Sequence, residues 1–251
     1  MKQGNTGLKN EEELINYINK KQYIKNMNNN IKSFLTNLFD FDLENHLIKA
    51  YKFADNYKPD IIITANGISK YISIKTGKSN SVHQEHLYSF IHFLSELGIN
   101  KSILDKIKLF HFNDGSLNGS GHSRKSANDF QTSNQPFIQE INREMNEKEN
   151  AKKLIDRILF KGEYYHLPIV DYIYYGDINK GVYASKNEIL NFLTTTKINS
   201  CAIHTSKLYY QALHRNLKYD KYYEYRRYYV QFKWYSIEED LNCIASKRKK
   251  A

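Results

Sequence analysis

The sequence predicts an α+β fold, and three observations support this prediction. Residues 11–18 carry apolar side chains at helical spacing. Residues 60–63 and 71–74 are short β-rich runs separated by an Asn-Gly pair, which is a strong signal for a β-hairpin. Further strand-like runs appear after residue 169, without a regular alternation of strands and helices. Such an irregular mixture is typical of an α+β domain.

The N-terminal half begins with helical signals. Asn10 is expected to cap a first helix, because acidic residues follow it in the first turn and an apolar stripe comes next. Residues 28–53 predict a second, less regular helical region. After the hairpin, residues 82–97 predict a helix with one apolar face, and Gly98 ends it.

The C-terminal half alternates between strand-like and helical runs. A Gly-, Ser- and Asn-rich segment predicts a long loop at 112–130. The remaining expectations are a strand at 106–112, a helix at 137–161, a hairpin at 169–175 and 181–184, a helix at 186–194 capped by Ser185, and a long strand or strand pair at 222–235.

Composition limits the classes of function. The formal net charge is +10 and the pI is about 9.3, which favour a polyanionic partner and above all nucleic acid. Two cysteines, Cys201 and Cys243, are too few for a disulfide framework or a thiolate zinc site. No stretch has the length and apolar character of a membrane span, and the polar N-terminus lacks a signal-peptide core. We therefore expect a cytoplasmic protein.

The predicted hairpin brings two groups of opposite charge together. Asp60 lies at the start of one strand and Lys75 at the end of the other, so the tight turn places both side chains at the same end of the sheet. Phosphodiester hydrolysis uses such parts, namely oxygen ligands for Mg²⁺ and a cation that orients the attacking water. One carboxylate binds Mg²⁺ weakly. Glu85, in the first turn of the predicted helix at 82–97, is the second candidate.

At these residues the sequence resembles a known superfamily. Pro59-Asp60 followed by Ser73-Ile74-Lys75 resembles the signature of the PD-(D/E)xK nucleases, which include many type II restriction endonucleases. The resemblance covers roughly residues 5–112. Ser73 stands at the acidic position of the triplet, a departure shared with one branch of restriction endonucleases in which the acid lies on the following helix.

The resemblance implies a restriction-endonuclease-like core, with a mixed central sheet flanked by helices, and a Mg²⁺-dependent endonuclease for which Mn²⁺ substitutes. Asp60, Glu85 and the carbonyl of Ile74 would hold the metal ion. Lys75 would position the water, and Glu11 or a neighbouring glutamate of the first helix would lie at the edge of the site. The implied substrate is double-stranded DNA within a restriction-modification system, and a homodimer would cut both strands.

The C-terminal region is expected to recognise DNA. We place the nuclease core at residues 1–135 and a helix plus β-rich recognition region at 136–251, packed on the core as one unit. Arginine, lysine, glutamine and asparagine contact base edges and phosphates. The predicted DNA-binding residues are Lys78, Arg124, Lys125, Arg215, Asn216, Arg226, Arg227, Gln231 and Lys233.

Other functions stay open at this point. Ser73 also suits a non-catalytic DNA-binding protein on a decayed nuclease scaffold. A structure-specific recombination nuclease would share the catalytic residues and differ in its substrate, and RNA is a further possible substrate. His83 and His86 are spaced to share a metal ion, but no HExxH or Cys/His pattern accompanies them, so a zinc site is not favoured.

Overall fold

A computed structural model describes residues 5–54, 57–77, 80–121, 126–163, 168–213 and 221–248, without the side chains of residues 5–7, 127 and 221–223. The fold is α+β, as predicted. The chain divides into two compact units. The first comprises Met1–Asn80, Leu159–Phe192 and Ser236–Ala251, and the second comprises Ser81–Ile158 and Leu193–Tyr235. Within the described ranges, no helix is both long and apolar enough to cross a lipid bilayer.

The helices and strands are numbered in chain order. The helices are α1 (Asn5–Lys21), α2 (Asn29–Leu38), α3 (Leu87–Glu96), α4 (Lys101–Phe112), α5 (Ala127–Ser133), α6 (Gln135–Met145), α7 (Lys148–Asp156), α8 (Lys186–Thr195) and α9 (Ile237–Arg248). The strands are β1 (Ile48–Lys52), β2 (Ile61–Ala65), β3 (Ile68–Lys75), β4 (Ser81–His86), β5 (Tyr172–Gly176), β6 (Gly181–Ser185), β7 (His204–Thr205), β8 (Leu208–Ala212) and β9 (Tyr229–Lys233). Short 3-10 helices occupy Ile24–Asn26 and Lys221–Tyr228, and a π-helical segment occupies Arg157–Lys161.

The first unit is built on a mixed five-stranded sheet in the order β1-β2-β3-β5-β6. The predicted hairpin of β2 and β3 is confirmed. Its turn consists of Asn66 and Gly67, whose φ angles of 49° and 74° are those of the type I′ turn that Asn-Gly favours. β3 pairs with β5 in parallel, whereas the other neighbours are antiparallel. β5 therefore returns the chain to this sheet after the Ser81–Ile158 segment of the second unit.

Helices α1 and α2 cover one face of this sheet. Leu14 and Ile18 of α1 and Phe34 of α2 are buried against the alternating isoleucines of the hairpin, such as Ile63 and Ile72. Apolar residues recur at the helical period on α1 and at every second position on the strands, so each element turns one apolar side toward the same core. This packing holds α1 beside the hairpin.

The second unit contains an antiparallel sheet in the order β4-β9-β8-β7. Helices α3 and α4 pack on its inner face, where Phe90 of α3 contacts Tyr210 and Phe232, and Phe110 of α4 contacts Tyr210. The inner residues alternate with partly or fully exposed ones along β4, β8 and β9. The sheet therefore has one covered face and one face that is more exposed.

Four predictions of secondary structure are wrong. Residues 82–86 belong to β4 instead of the start of a helix. Their backbone pairs with β9, and this tertiary contact makes them a strand although their own strand propensity is weak. Residues 106–112 belong to α4, whose Asn100 cap and helical apolar spacing were missed. In the region 28–53, β1 pairs with β2 after α2 ends. In the region 222–235, only Tyr229–Lys233 is a strand.

Other boundaries also differ from expectation. The first helix begins at Asn5, so Asn10 is not its cap; the Asn10 amide instead donates to the Gly176 carbonyl at 3.0 Å. The helix predicted at 137–161 is divided into α6, α7 and the π-helical segment. The hairpin of β5 and β6 and the capping of α8 by Ser185 are confirmed: the Ser185 hydroxyl accepts from the Glu188 backbone at 3.3 Å.

The predicted boundary near residue 135 lies inside the second unit, within Ser81–Ile158. Residues 81–135 belong to the second unit, and Leu159–Phe192 and Ser236–Ala251 return to the first. The reason is the pairing of β3 with β5, which joins strands almost 100 residues apart and leaves no local signal in the sequence.

Candidate active site

Asp60 and Lys75 lie together at one end of the β2-β3 hairpin. Ile61 pairs with Ile72, so Asp60 stands opposite Ser73, and the Asp60 backbone donates to the Ile72 carbonyl at 2.9 Å. The Lys75 Nζ lies 3.2 Å from Asp60 Oδ2. The structure therefore brings together the two residues that the hairpin signal predicted to converge.

Three donors hold one oxygen of the Asp60 carboxylate. Oδ2 accepts from the Ser73 hydroxyl at 2.9 Å, from the Ile74 backbone at 2.6 Å and from Lys75 Nζ at 3.2 Å. Among the described residues, every hydrogen bond to this carboxylate reaches Oδ2. The side chain is thus oriented by its neighbours, and Oδ1 is the oxygen left to accept a cation.

Ser73 has a positioning role in this arrangement. Its side chain is fully buried, and its hydroxyl donates to Asp60 instead of supplying the carboxylate that the signature places there. The Lys75 ammonium also donates to the Ile74 carbonyl at 3.1 Å. The triplet Ser73-Ile74-Lys75 therefore supplies three donors and one carbonyl oxygen, but no carboxylate.

Glu11 of α1 is a second carboxylate within electrostatic range of Asp60. It continues the stripe of Leu14 and Ile18 one turn toward the N-terminus, which places it on the side of α1 that packs on the sheet. Burial raises the pKa of the Glu11 carboxyl, and the negative charge of Asp60 raises it further, while Lys75 and Lys52 oppose this shift. Glu11 and Asp60 are therefore close enough to repel each other.

A repelling pair of carboxylates beside a backbone carbonyl suits a hard divalent cation. Asp60, Glu11 and the Ile74 carbonyl offer only oxygen donors, which Mg²⁺ and Mn²⁺ prefer. In the part of the chain that the structure describes, no group of three or more His, Cys, Asp or Glu side chains is arranged to hold a metal ion. Mg²⁺ at a phosphate-processing site commonly uses one or two carboxylates with water and substrate phosphate, so the residues present fit this ion.

Glu85, the other predicted metal ligand, is held by residues of its own unit. It lies on β4 in the second unit, and its side chain is fully buried. The Arg157 Nε lies 3.2 Å and 3.1 Å from its two oxygens, and His83 Nε2 lies 3.1 Å from one of them. Burial opposes ionisation, but the hydrogen bonds from His83 and Arg157 hold the pKa of Glu85 below its usual value. Both oxygens are in use, so we replace the predicted ligand role with a structural one.

Sequence reasoning missed Arg157, the partner of Glu85, and two residues near Asp60 and Lys75. Arg157 is 72 positions from Glu85, and nothing in the local sequence indicates the pair. Tyr175 is the β5 partner of Lys75, and its hydroxyl donates to the Gly77 carbonyl at 3.2 Å. Lys52 is within electrostatic range of Glu11. The parallel pairing of β3 with β5 brings Tyr175 beside Lys75, and the docking of α1 brings Glu11 into the range of Lys52.

The predicted DNA-binding residues have different surroundings. Five of them, Lys78, Arg124, Lys125, Arg215 and Asn216, lie outside the described residues. Arg227 is bound within the protein: it pairs with the fully buried Asp114 side chain at 3.1 Å and with Glu224 at 3.3 Å, and it donates to the Gly119 carbonyl. Its guanidinium stabilises the 114–121 loop, so the DNA-contacting role is replaced by a structural one.

The other three predicted DNA-binding residues are accessible. Arg226 is half-buried, with its guanidinium 5.8 Å from the centroid of the Tyr225 ring. Gln231 and Lys233 are half-buried residues of β9 and alternate with the buried Val230 and Phe232. Both therefore point to the face of the second sheet opposite the core.

Comparison with known proteins adds no assignment. The chain matches no protein-family model, and a search of curated proteins finds no significant match.

Proposed function

We propose that this protein is a Mg²⁺-dependent endonuclease of the PD-(D/E)xK kind that hydrolyses phosphodiester bonds in double-stranded DNA. The observation that supports the proposal is the convergence of Asp60 and Lys75 on one oxygen, with Glu11 in electrostatic range of both. The corresponding ligands for the cation are Asp60, Glu11 and the Ile74 carbonyl. Glu11 thus takes the role that the sequence had suggested for Glu85.

Each residue has a distinct task in this proposal. When bound, the divalent ion would supply positive charge against the scissile phosphate and a more acidic water. Asp60 is held in one orientation by Ser73 and the Ile74 backbone, so little reorganisation is needed to bind a cation. Lys75, next to this carboxylate, orients the attacking water and offers positive charge to the phosphate oxygens.

The proposed biological role is that of a type II restriction endonuclease acting as a homodimer in the cytoplasm. A net charge of +10 supports a polyanionic substrate. A dimer supplies one site for each strand of a duplex. Sedimentation of the protein on a cleavable duplex should then show two chains per DNA.

Cleavage assays test this function directly. Supercoiled and linear DNA incubated with the protein and Mg²⁺ or Mn²⁺ should be cut, and EDTA should stop the reaction. We expect Lys75→Ala and Asp60→Asn to lower the cleavage rate at least about 10²-fold, the loss typical for removal of one stabilising group in a catalytic site. Lys49→Ala is the matched control, because Lys49 is an exposed lysine on β1 of the same unit. Equal cleavage by Lys75→Ala and Lys49→Ala would contradict the proposed mechanism.

A second function is favoured by one specific observation. Ser73 occupies the acidic position of the signature and Glu85 is bound to Arg157, so Glu11 is the candidate among the described residues to complete the pair with Asp60. If Glu11 does not hold the ion, the protein is a non-catalytic DNA-binding protein. In that case the protein would bind DNA in a salt-sensitive way but would not cleave it with any divalent metal. Calorimetric titration with Mg²⁺ would then give the same result for the wild type and for Asp60→Asn.

A further inference from the structure

The open face of the second sheet carries a row of three glutamines. In the strand register, Gln84 of β4 is paired with Gln231 of β9, and Gln231 is paired with Gln211 of β8. All three alternate with buried residues along their strands, so their side chains leave the sheet on the same side. Adjacent strands lie about 4.8 Å apart, so the row spans roughly 10 Å.

The three amides are available to a partner. Gln84 and Gln211 are exposed, and Gln231 is half-buried. Within the described part of the chain, none of the three side chains makes a hydrogen bond. Each amide offers two donors and an acceptor oxygen, so the row presents an array of donors and acceptors with a fixed spacing.

The surroundings of the row are aromatic and cationic. On one side, His86 and Tyr229 are a cross-strand pair with ring centroids 5.3 Å apart. On the other side, Lys233 is paired with Tyr209, and its Nζ lies 5.9 Å from the centroid of the Tyr235 ring. The described residues of this face are amides, rings and a cation, which differ from the apolar centre of a typical protein interface.

Charge and dimensions indicate the partner. Residues 193–235, which include β8 and β9, contain eight lysines and arginines, of which Arg227 is paired within the protein, and two acidic residues. A polyanion is the complementary partner for such a segment. The glutamine row is roughly 10 Å wide, and the major groove of B-DNA is about 12 Å wide and admits β-structure. Glutamine pairs with the N6 and N7 edge of adenine through two hydrogen bonds.

We infer that the open face of β4, β9 and β8 binds double-stranded DNA, with Gln84, Gln231 and Gln211 reading base edges in the major groove and Lys233 contacting a phosphate. The inference rests on the proposed function for the choice of DNA as the polymer. It is independent of whether the chain cleaves that DNA. The alignment of Gln84, Gln231 and Gln211 in one row exists only in the folded sheet.

Selection from a duplex pool tests this inference without cleavage. Full-length Lys75→Ala protein in EDTA is incubated with double-stranded DNA whose central segment is randomised, and bound duplexes are sequenced after each round. We expect an enriched motif that contains A·T pairs. Gln211→Ala and Gln231→Ala in this background should each lower the enrichment at one position about tenfold, as expected for loss of one bidentate contact. Gln139→Ala, at an exposed glutamine of α6 in the same unit, should leave the motif unchanged.

Two further variants separate base contacts from general effects. Gln211→Glu keeps the size of the side chain and accepts a hydrogen bond from cytosine N4, so it should change the preferred base from adenine to cytosine at that position. Lys233→Ala should weaken binding to all duplexes and lower the slope of log affinity against log salt by about one.

The results distinguish this inference from the proposed function. An unchanged motif in the glutamine variants, no motif at all, or preferential binding of single-stranded DNA or RNA overturns the inference. Cleavage by the wild-type protein that Lys75→Ala abolishes would still support the nuclease proposal in that case. Conversely, a motif that depends on the glutamines, together with a lack of cleavage, supports the inference and refutes only the nuclease.

Discussion

The buried pair of Glu85 and Arg157 allows a decisive test of the structural role given to Glu85. The Glu85 side chain is 0% exposed and that of Arg157 is 3% exposed, and the Arg157 guanidinium also lies 4.6 Å from the centroid of the Phe93 ring. Glu85→Gln leaves the Arg157 charge buried without its counter-ion. Breaking a buried ion pair from one side costs about 3–5 kcal/mol.

This cost predicts a large thermal effect. For a chain of this size, about 1 kcal/mol corresponds to a shift in Tm of about 2–4 °C, so Glu85→Gln should lower Tm by roughly 6–20 °C. Circular dichroism during heating measures the shift. Glu96→Gln is the matched control, because Glu96 is an exposed residue of α3 whose side chain is 57% accessible. It should change the free energy of unfolding by no more than about 0.5 kcal/mol.

The combined variant Glu85→Leu with Arg157→Met sharpens the test. Apolar side chains in place of both charges should recover much of the lost stability, because neither group then remains buried and unpaired. If Glu85→Gln keeps the wild-type Tm but loses Mg²⁺ binding, the structural assignment is refuted and Glu85 returns as a metal ligand. A loss of Tm with retained Mg²⁺ binding is the result that we expect.

Three other predictions follow from the described contacts. The folded state lowers the pKa of Glu85, so the pair with Arg157 stabilises the protein at pH values above the pKa of Glu85 in the unfolded chain. This stability is lost as the pH falls through the pKa of Glu85 in the folded protein. Urea denaturation at a series of pH values should therefore show that the free energy of unfolding falls less with acid in Glu85→Gln than in the wild type. The pKa of Glu11 is raised, so protons compete with Mg²⁺ for this carboxylate. Calorimetry should show that the affinity for Mg²⁺ falls as the pH falls. Glu11→Gln should bind Mg²⁺ more weakly and with a smaller pH dependence. Arg227→Ala should destabilise the protein by about 1–3 kcal/mol in urea denaturation, since Asp114 loses its cation. Arg226→Ala, at a guanidinium that lies by the exposed Tyr225 ring, should change stability less, and equal effects would contradict the role of Arg227 in the loop.

The part of the site that could be predicted is local in sequence. Asp60 and Lys75 are 15 positions apart and are joined by a turn whose Asn66 and Gly67 specify its geometry. The alternation of residues along β2 and β3 then determines which side chains share one end of the hairpin. For this reason the convergence of the carboxylate and the ammonium followed from the sequence before the structure was known.

The part that could not be predicted depends on distant contacts. Glu85 was expected in a helix because apolar residues from Val82 to Leu94 recur at helical spacing. Pairing with β9, about 150 positions later, makes the segment 81–86 a strand and turns Glu85 toward Arg157. This pairing and that of β8 with β9 align Gln84, Gln231 and Gln211, which lie on three separate segments of the chain.

The amino-acid sequence was thus sufficient for the α+β class, the hairpin and the neighbouring positions of Asp60 and Lys75. These features depend on turn chemistry and periodicity within a few residues. The docking of α1 that brings Glu11 near Asp60, the burial of Glu85 and the row of glutamines required the folded chain. Their free energies come from surfaces that meet only after strands and helices far apart in sequence have packed together, and no local pattern specifies which surfaces those will be.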